Sequence, residues 1–205
     1  MGCPVSRPWR GSFGGGGHAR QLGARIVNDA DDFVICCRGT ADEAMTTMRT
    51  MMTTLKLTVN ETKTKLRRVP DETFDFLGYT FGRGHSPKTG RAYLGTKPSA
   101  KKVLRLCRSI SEMTGRETTW QPTEERVALL NRKLEGWAND FRLGSATKAD
   151  AAVDRHSRRR LRHWRVKKHK VRERGWSRFP DRYLTETLGL IRLQSRRRSF
   201  PCASA

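Results

Sequence analysis

Acidic residues are scarce in this sequence, in which 20 Asp and Glu stand against 42 Lys and Arg and leave a formal net charge of +22 at pH 7. Positive charge on this scale opposes compaction through self-repulsion unless a polyanion binds. The charge balance therefore predicts a nucleic-acid partner. An anionic membrane surface is the alternative, but no basic amphipathic helix stands out from the core-forming helices.

Membrane and secretion signals are also missing. No apolar run is long enough to span a bilayer, and the N-terminus lacks the apolar core of a signal peptide. The five cysteines are odd in number and form no C-x-x-C pair, which argues against a disulfide framework and against a zinc site. We therefore expect a cytoplasmic protein without a membrane partner.

A β-hairpin is predicted over residues 25–37. The β-branched pair Ile26-Val27 and the apolar run 33–35 flank five turn-favouring residues, 28–32. Asp31 and Asp32 stand next to each other at the tip, and hard divalent cations bind clustered oxygen ligands of this kind. From the residues alone, both a metal site and a solvated turn stay open.

The region after the hairpin mixes helix and strand. Thr40 and Glu43 form a capping box ahead of an apolar helical stripe that runs to Leu55. Residues 74–81 shift phase at Leu77-Gly78, which predicts a strand with a bulge. A turn at 87–90 then leads into a partner strand over 91–94.

Residues 99–194 are predicted to be helical. Three helices are expected to begin at Ser99, Thr123 and Thr147, and each carries one apolar stripe. Narrow stripes on three neighbouring helices predict a small bundle. The fold class is therefore α+β.

Half of the formal net charge lies between Arg155 and Arg178, a segment that contains 12 Lys and Arg and a single acidic residue, Glu173. Such cations are expected to face water or phosphate. Trp164 and Trp176 lie among them and can either stack on unpaired bases or pack in the core. The residues predicted to bind nucleic acid are Arg158, Arg159, Arg160, Arg162, Arg165, Lys167, Lys168, Lys170, Arg172 and Trp176.

Several segments resemble one family in order along the chain. Ala30-Asp31-Asp32-Phe33-Val34-Ile35 resembles the active-site hairpin of reverse transcriptases, in particular the group II intron-encoded reverse transcriptase/maturase family. Phe76-Leu77-Gly78 resembles its primer-grip strand, and residues 134–141, 160–170 and 188–193 resemble its maturase-specific domain, also called domain X or thumb. The resemblance implies an incomplete palm (18–95) and a helical thumb/maturase bundle (96–194). The composition of the two ends predicts a flexible Gly-rich leader (1–17) and a basic tail (195–205).

The same resemblance implies a function in splicing and mobility of group II intron RNA, with RNA as the partner and DNA as a second candidate. It assigns Asp31 and Asp32 as catalytic residues and as Mg²⁺ ligands. No third carboxylate strand is recognisable upstream, and Asp29 replaces the family's aromatic residue, so both aspartates are expected to be vestigial. The alternatives are an RNA-directed DNA polymerase that uses dNTPs and Mg²⁺ once another chain completes the palm, and a degenerate frame without function.

Overall fold

The computed structural model describes residues 24–30, 32–38, 41–86, 89–172 and 175–198. The predicted leader, Asp31, Thr40, Pro87, Lys88 and most of the predicted tail lie outside these residues. Contacts divide the chain into two compact units between Arg68 and Val69. The predicted domain boundaries rest on family resemblance and are not decided by this division, so they stay predictions.

The first unit contains the predicted hairpin. Strands β1 (Arg25–Asp29) and β2 (Asp32–Cys36) pair antiparallel, with Asp29 opposite Asp32. The turn is shorter than predicted, because the strands extend into residues 28, 29 and 32. Helix α1 (Ala41–Thr54) follows and buries Ala44 and Met48 from the predicted apolar stripe.

The second unit begins with a three-stranded antiparallel sheet of β3 (Phe74–Phe76), β4 (Tyr79–His85) and β5 (Ala92–Pro98). The predicted bulge at Leu77-Gly78 is wrong. Leu77 (φ 51°) and Gly78 (φ 83°) form a two-residue turn that reverses the chain, as expected when both central residues have positive φ. The predicted return strand is confirmed, since β5 pairs with β4.

Three helices build the core of this unit: α2 (Ala100–Met113), α3 (Thr123–Asp140) and α4 (Thr147–Lys168). Ser99 caps α2 as predicted, because its hydroxyl accepts from the Lys102 amide at 3.4 Å. Helices α3 and α4 begin at Thr123 and Thr147, as predicted. The predicted stripes meet in one core that includes Ile110, Leu130, Leu134, Val153, Leu161 and Trp164.

The end of the described chain closes over this core. A π-helical turn (Tyr183–Thr187) and a short helix, α5 (Leu193–Arg198), bring in the buried side chains Leu184, Leu190 and Leu193. The Asp154 carboxylate on α4 accepts hydrogen bonds from the Leu193 amide at 2.9 Å and the Gln194 amide at 3.3 Å. These bonds satisfy donors at the start of α5 that have no partner within the helix.

The mixture of a hairpin, a small sheet and a helical bundle confirms the predicted α+β class. Among the residues that the structure describes, no helix combines the length and the apolar character needed to cross a membrane.

Candidate nucleic-acid interface

Arg162 shows that the basic helix α4 does not expose all of its cations. Its side chain is 1% exposed, so the expectation that these cations all face water or phosphate is wrong for this residue. Its Nε donates to the Phe179 carbonyl at 2.8 Å, and its guanidinium pairs with the Asp181 carboxylate. Burial is tolerated because the charge is paired and the N–H donors are used. Asp181 also pairs with Arg158 at 2.9 Å.

Arg160 is bound to the end of α2. Its guanidinium donates to the Ser111 carbonyl at 2.7 Å, to the Thr114 carbonyl at 3.0 Å and to the Thr114 hydroxyl at 3.0 Å. The last carbonyls of a helix lack intrahelical partners and carry partial negative charge. Arg160 therefore serves as a cap on a neighbouring helix.

Arg165 binds the start of α3 and the π-helical turn, and Lys168 binds the segment between α2 and α3. Arg165 donates to the Thr123 hydroxyl at 2.9 Å and to the Tyr183 hydroxyl at 2.8 Å. Lys168 donates to the carbonyls of Thr119 and Gln121 at 2.9 and 2.7 Å. Five of the ten predicted RNA-binding residues thus make contacts that hold the fold together: Arg158, Arg160, Arg162, Arg165 and Lys168.

The outward face of α4 carries a different set of residues. Exposed side chains recur every four residues from position 155 to 167, and a further exposed lysine follows just beyond the helix. We call this set the cationic stripe: Arg155, Arg159, His163, Lys167 and Lys170. Within the described part of the chain, none of the five forms an ion pair with an acidic side chain. The helical part of the stripe is about 18 Å long, at about 1.5 Å per residue.

Arg155 and His163 were not among the predicted RNA-binding residues. The signal that identifies them is their phase, because the buried residues Val153, Leu161 and Trp164 fix which side of α4 faces the core. Residues at a four-residue spacing on the opposite side are then expected to be exposed, unless another segment covers them as the loop at Phe179 covers Arg162.

The imidazole of His163 lies within the stripe. Burial lowers its pKa, and the positive charges of Arg160, Arg159, Lys167 and Arg162 lower it further. The ring is therefore neutral near pH 7, where an ordinary histidine already carries only part of a charge. A phosphate that binds nearby would favour the protonated ring.

The two tryptophans of the basic region have different environments. Trp164 is fully buried and donates from its ring nitrogen to the Thr118 hydroxyl at 3.0 Å, so core packing is confirmed for it. Trp176, in the loop after α4, is 59% exposed. The guanidinium carbon of Arg162 lies 3.7 Å from its ring centroid. Of these two tryptophans, Trp176 is therefore the one that a base could reach.

The predicted metal ligands are only partly described. Asp32 is exposed at the start of β2 and pairs across the ladder with Asp29, while Asp31 lies outside the described residues. Among the residues described, no group of three His, Cys, Asp or Glu side chains could hold a metal ion. Mg²⁺ takes oxygen ligands, so the carboxylates at this tip are of the right kind, while their arrangement around an ion is a prediction that depends on Asp31 as well. The catalytic assignment stays a prediction.

Comparison with protein families gives one match. Residues 103–183 match the family model described as "Group II intron, maturase-specific domain". The match covers most of α2, all of α3 and α4, and the loop that carries Trp176, so the predicted resemblance is confirmed for this domain. The palm resemblance lies outside the matched residues and stays a prediction. None of the curated proteins matches the chain.

Proposed function

We propose that this chain, whose residues 103–183 are a maturase-specific domain, binds group II intron RNA through the cationic stripe and helps that RNA reach its splicing-competent fold. The observation that carries the proposal is the stripe itself. Arg155, Arg159, His163 and Lys167 lie exposed on one face of α4, and Lys170 is exposed just beyond its end. All five lie inside the matched domain and have no acidic partner among the described residues.

Phosphate contact is the interaction that this face favours. Exposed Lys and Arg release counterions when they neutralise phosphates, and that release supplies most of the sequence-independent affinity for nucleic acid. Side chains that recur every four residues are about 6 Å apart along the helix axis, which allows one strand to meet several of them in turn. The same contacts would accept DNA, which stays a second candidate partner.

In this proposal the RNA supplies the splicing chemistry and the protein supplies binding energy. The residues between α4 and the core, Arg158, Arg160, Arg162, Arg165 and Lys168, then act indirectly by fixing the helix that carries the stripe. A cytoplasmic location is part of the proposal, because the cysteine pattern fits a reducing compartment.

The test compares two triple variants that remove the same charge. Arg159→Gln, Lys167→Gln and Lys170→Gln neutralise the stripe, while Arg132→Gln, Lys133→Gln and Arg182→Gln neutralise exposed cations elsewhere in the second unit. Three lost phosphate contacts should flatten the slope of log binding constant against log salt by about 2 to 3, and the control should change it far less.

The binding is measured on a structured group II intron RNA and on an unrelated RNA of equal length. Tighter binding to the intron RNA supports the maturase proposal. Equal affinity for both RNAs would reduce the protein to a generic basic binder. Equal effects of the two triple variants would show that the stripe is not the contact surface.

A further inference from the structure

Trp176 is covered on one side and open on the other. The guanidinium of Arg162 lies 3.7 Å from the ring centroid, yet the residue as a whole is 59% exposed. The exposed area must therefore belong mainly to the opposite face and the ring edges. A cation packed on one face of an indole contributes to holding the ring in place.

The loop under Trp176 is fixed to α4. Gly175 adopts φ +76°, and a Cβ placed on it would lie 2.3 Å from a methyl carbon of Val166. The Phe179 amide donates to the Gly175 carbonyl at 2.8 Å, and Arg162 donates to the Phe179 carbonyl at 2.8 Å. The backbone on both sides of Trp176 is thus tied to the helix, so the ring is presented in a defined position before any ligand binds.

The charge around the ring is positive. Asp181, the acid that pairs with Arg162, also pairs with Arg158. Arg155 and Arg159 precede Arg162 by seven and three residues, which places the first part of the cationic stripe on the same side of α4 as Arg162. Lys170 and Arg172, which precede Trp176 in the chain, and Arg178, which follows it, are also exposed.

We propose that the open face of Trp176 is a stacking site for one unpaired base of the RNA, with the neighbouring phosphates on the cationic stripe. The inference rests on the proposed function and adds the kind of RNA feature that is recognised. A base within a duplex is stacked on both sides and cannot reach the ring, whereas a bulged or looped base can. Arg162 is the positioning residue of this site.

A protein partner would use the same ring differently. Exposed tryptophans are also frequent anchors in protein–protein interfaces. The surrounding Lys and Arg favour a ligand that carries phosphate next to its planar group, and a nucleotide does so. Because every base has a π face, the site is expected to recognise the unpaired state rather than the sequence.

The experiment uses the full chain and two defined RNAs, a fully paired two-strand duplex with blunt ends and the same duplex with one bulged nucleotide. The wild-type protein should prefer the bulged RNA. Trp176→Ala should weaken binding to the bulged RNA by about 5- to 150-fold and leave binding to the fully paired duplex unchanged. Trp176→Phe, which keeps an aromatic face, should retain most of the preference.

Trp120 provides the matched control, because it is 78% exposed in the same unit and is not covered by a described cation–π contact of this kind. Trp120→Ala should leave the ratio of the two affinities unchanged. An unchanged ratio in Trp176→Ala, or an equal loss in Trp120→Ala, would overturn the stacking site and favour a protein-docking role for the ring. Wild-type binding to both RNAs with equal affinity would overturn the stacking site alone. Binding to neither RNA at low salt would overturn the proposed function as well.

Discussion

Arg160 on α4 donates a 2.7 Å hydrogen bond to the main-chain carbonyl of Ser111, in the last turn of α2. Its neighbour Arg159 is exposed and has no acidic partner among the described residues. Two adjacent arginines of one basic run therefore have separate roles, one within the fold and one toward the solvent.

This contrast gives the first prediction. Arg160→Gln should lower the free energy of unfolding by about 1–2 kcal/mol, because the α2 carbonyls lose a charged donor. Arg159→Gln should stay within about 0.5 kcal/mol of the wild type, as for most surface changes. Urea unfolding measures both. In the RNA salt titration the order of the two variants should reverse, because Arg159→Gln should flatten the slope of log binding constant against log salt more than Arg160→Gln does. Equal losses of stability in the two variants would contradict the separate roles of the two arginines.

Helix positions were predictable because their signals are local. Leu130 and Leu134 lie on one stripe at helical spacing, and both are fully buried in the core. Ser99 before α2 is a side-chain cap of the kind that sequence patterns identify. Each of these features depends on residues within a few positions of each other, so one sequence is enough to detect it.

The environment of single cations was not predictable, because it depends on distant partners. Arg162 is buried only because Asp181, nineteen residues later, returns to pair with it. The turn at Leu77-Gly78 was missed for another reason. Leucine rarely adopts φ 51°, so its side chain gives no signal for the first position of such a turn.

The second prediction concerns acid stability. His156 lies 3.0 Å from the Ser111 hydroxyl. Burial lowers its pKa, a hydrogen bond to the Cys107 carbonyl opposes the shift, and the charges of Arg159 and Arg160 add to it. The unfolded state, with a histidine pKa of about 6.5, then binds more protons than the folded state below that pH. Stability should therefore be full above about pH 6.5 and decline as the pH falls toward the folded-state pKa.

The measurement is the urea midpoint at neutral pH and at a pH between the two pKa values. His156→Gln removes the titrating ring but keeps a hydrogen-bond donor, so it should shrink the difference between the two midpoints. A midpoint that rises on acidification would contradict the prediction, since it would require the folded state to bind the extra protons.

The third prediction uses Gly136 in the middle of α3. A Cβ added there would meet no heavy atom within 4 Å. Gly136→Ala should therefore raise the free energy of unfolding by about 0.5–1 kcal/mol, because alanine loses less backbone entropy in a helix. Gly175→Ala serves as the comparison and should lower the free energy of unfolding. Gly175 adopts φ +76°, which strains an alanine, and the added Cβ would lie 2.3 Å from a methyl carbon of Val166. A Gly136→Ala variant that is more stable but binds intron RNA less well would place the RNA against this side of α3.

The fourth prediction concerns polymerase activity. We expect the isolated chain to show no template-directed nucleotide addition with Mg²⁺ or Mn²⁺. The described residues assemble no three-ligand metal group, and Asp29 stands where the reverse-transcriptase family has an aromatic residue. Primer extension is measured for the wild type and for Asp31→Ala and Asp32→Ala. Extension that both alanine variants abolish would show that the hairpin carries a working metal site and would support the polymerase alternative.

The last prediction links pH to RNA affinity through His163. In the free protein, burial lowers the pKa of His163, and the charges of Arg160, Arg159, Lys167 and Arg162 lower it further. Phosphates on the cationic stripe would neutralise these charges and favour the imidazolium, so the bound state takes up a proton that the free state lacks. Affinity should then rise as the pH falls below about 6.5, the usual histidine value.

His163→Gln should abolish this rise and leave the affinity at higher pH nearly unchanged. His169→Gln is the control, because burial also lowers the pKa of that ring but it does not belong to the stripe. If His169→Gln removes the pH dependence and His163→Gln does not, the RNA contacts the end of α4 rather than its exposed face.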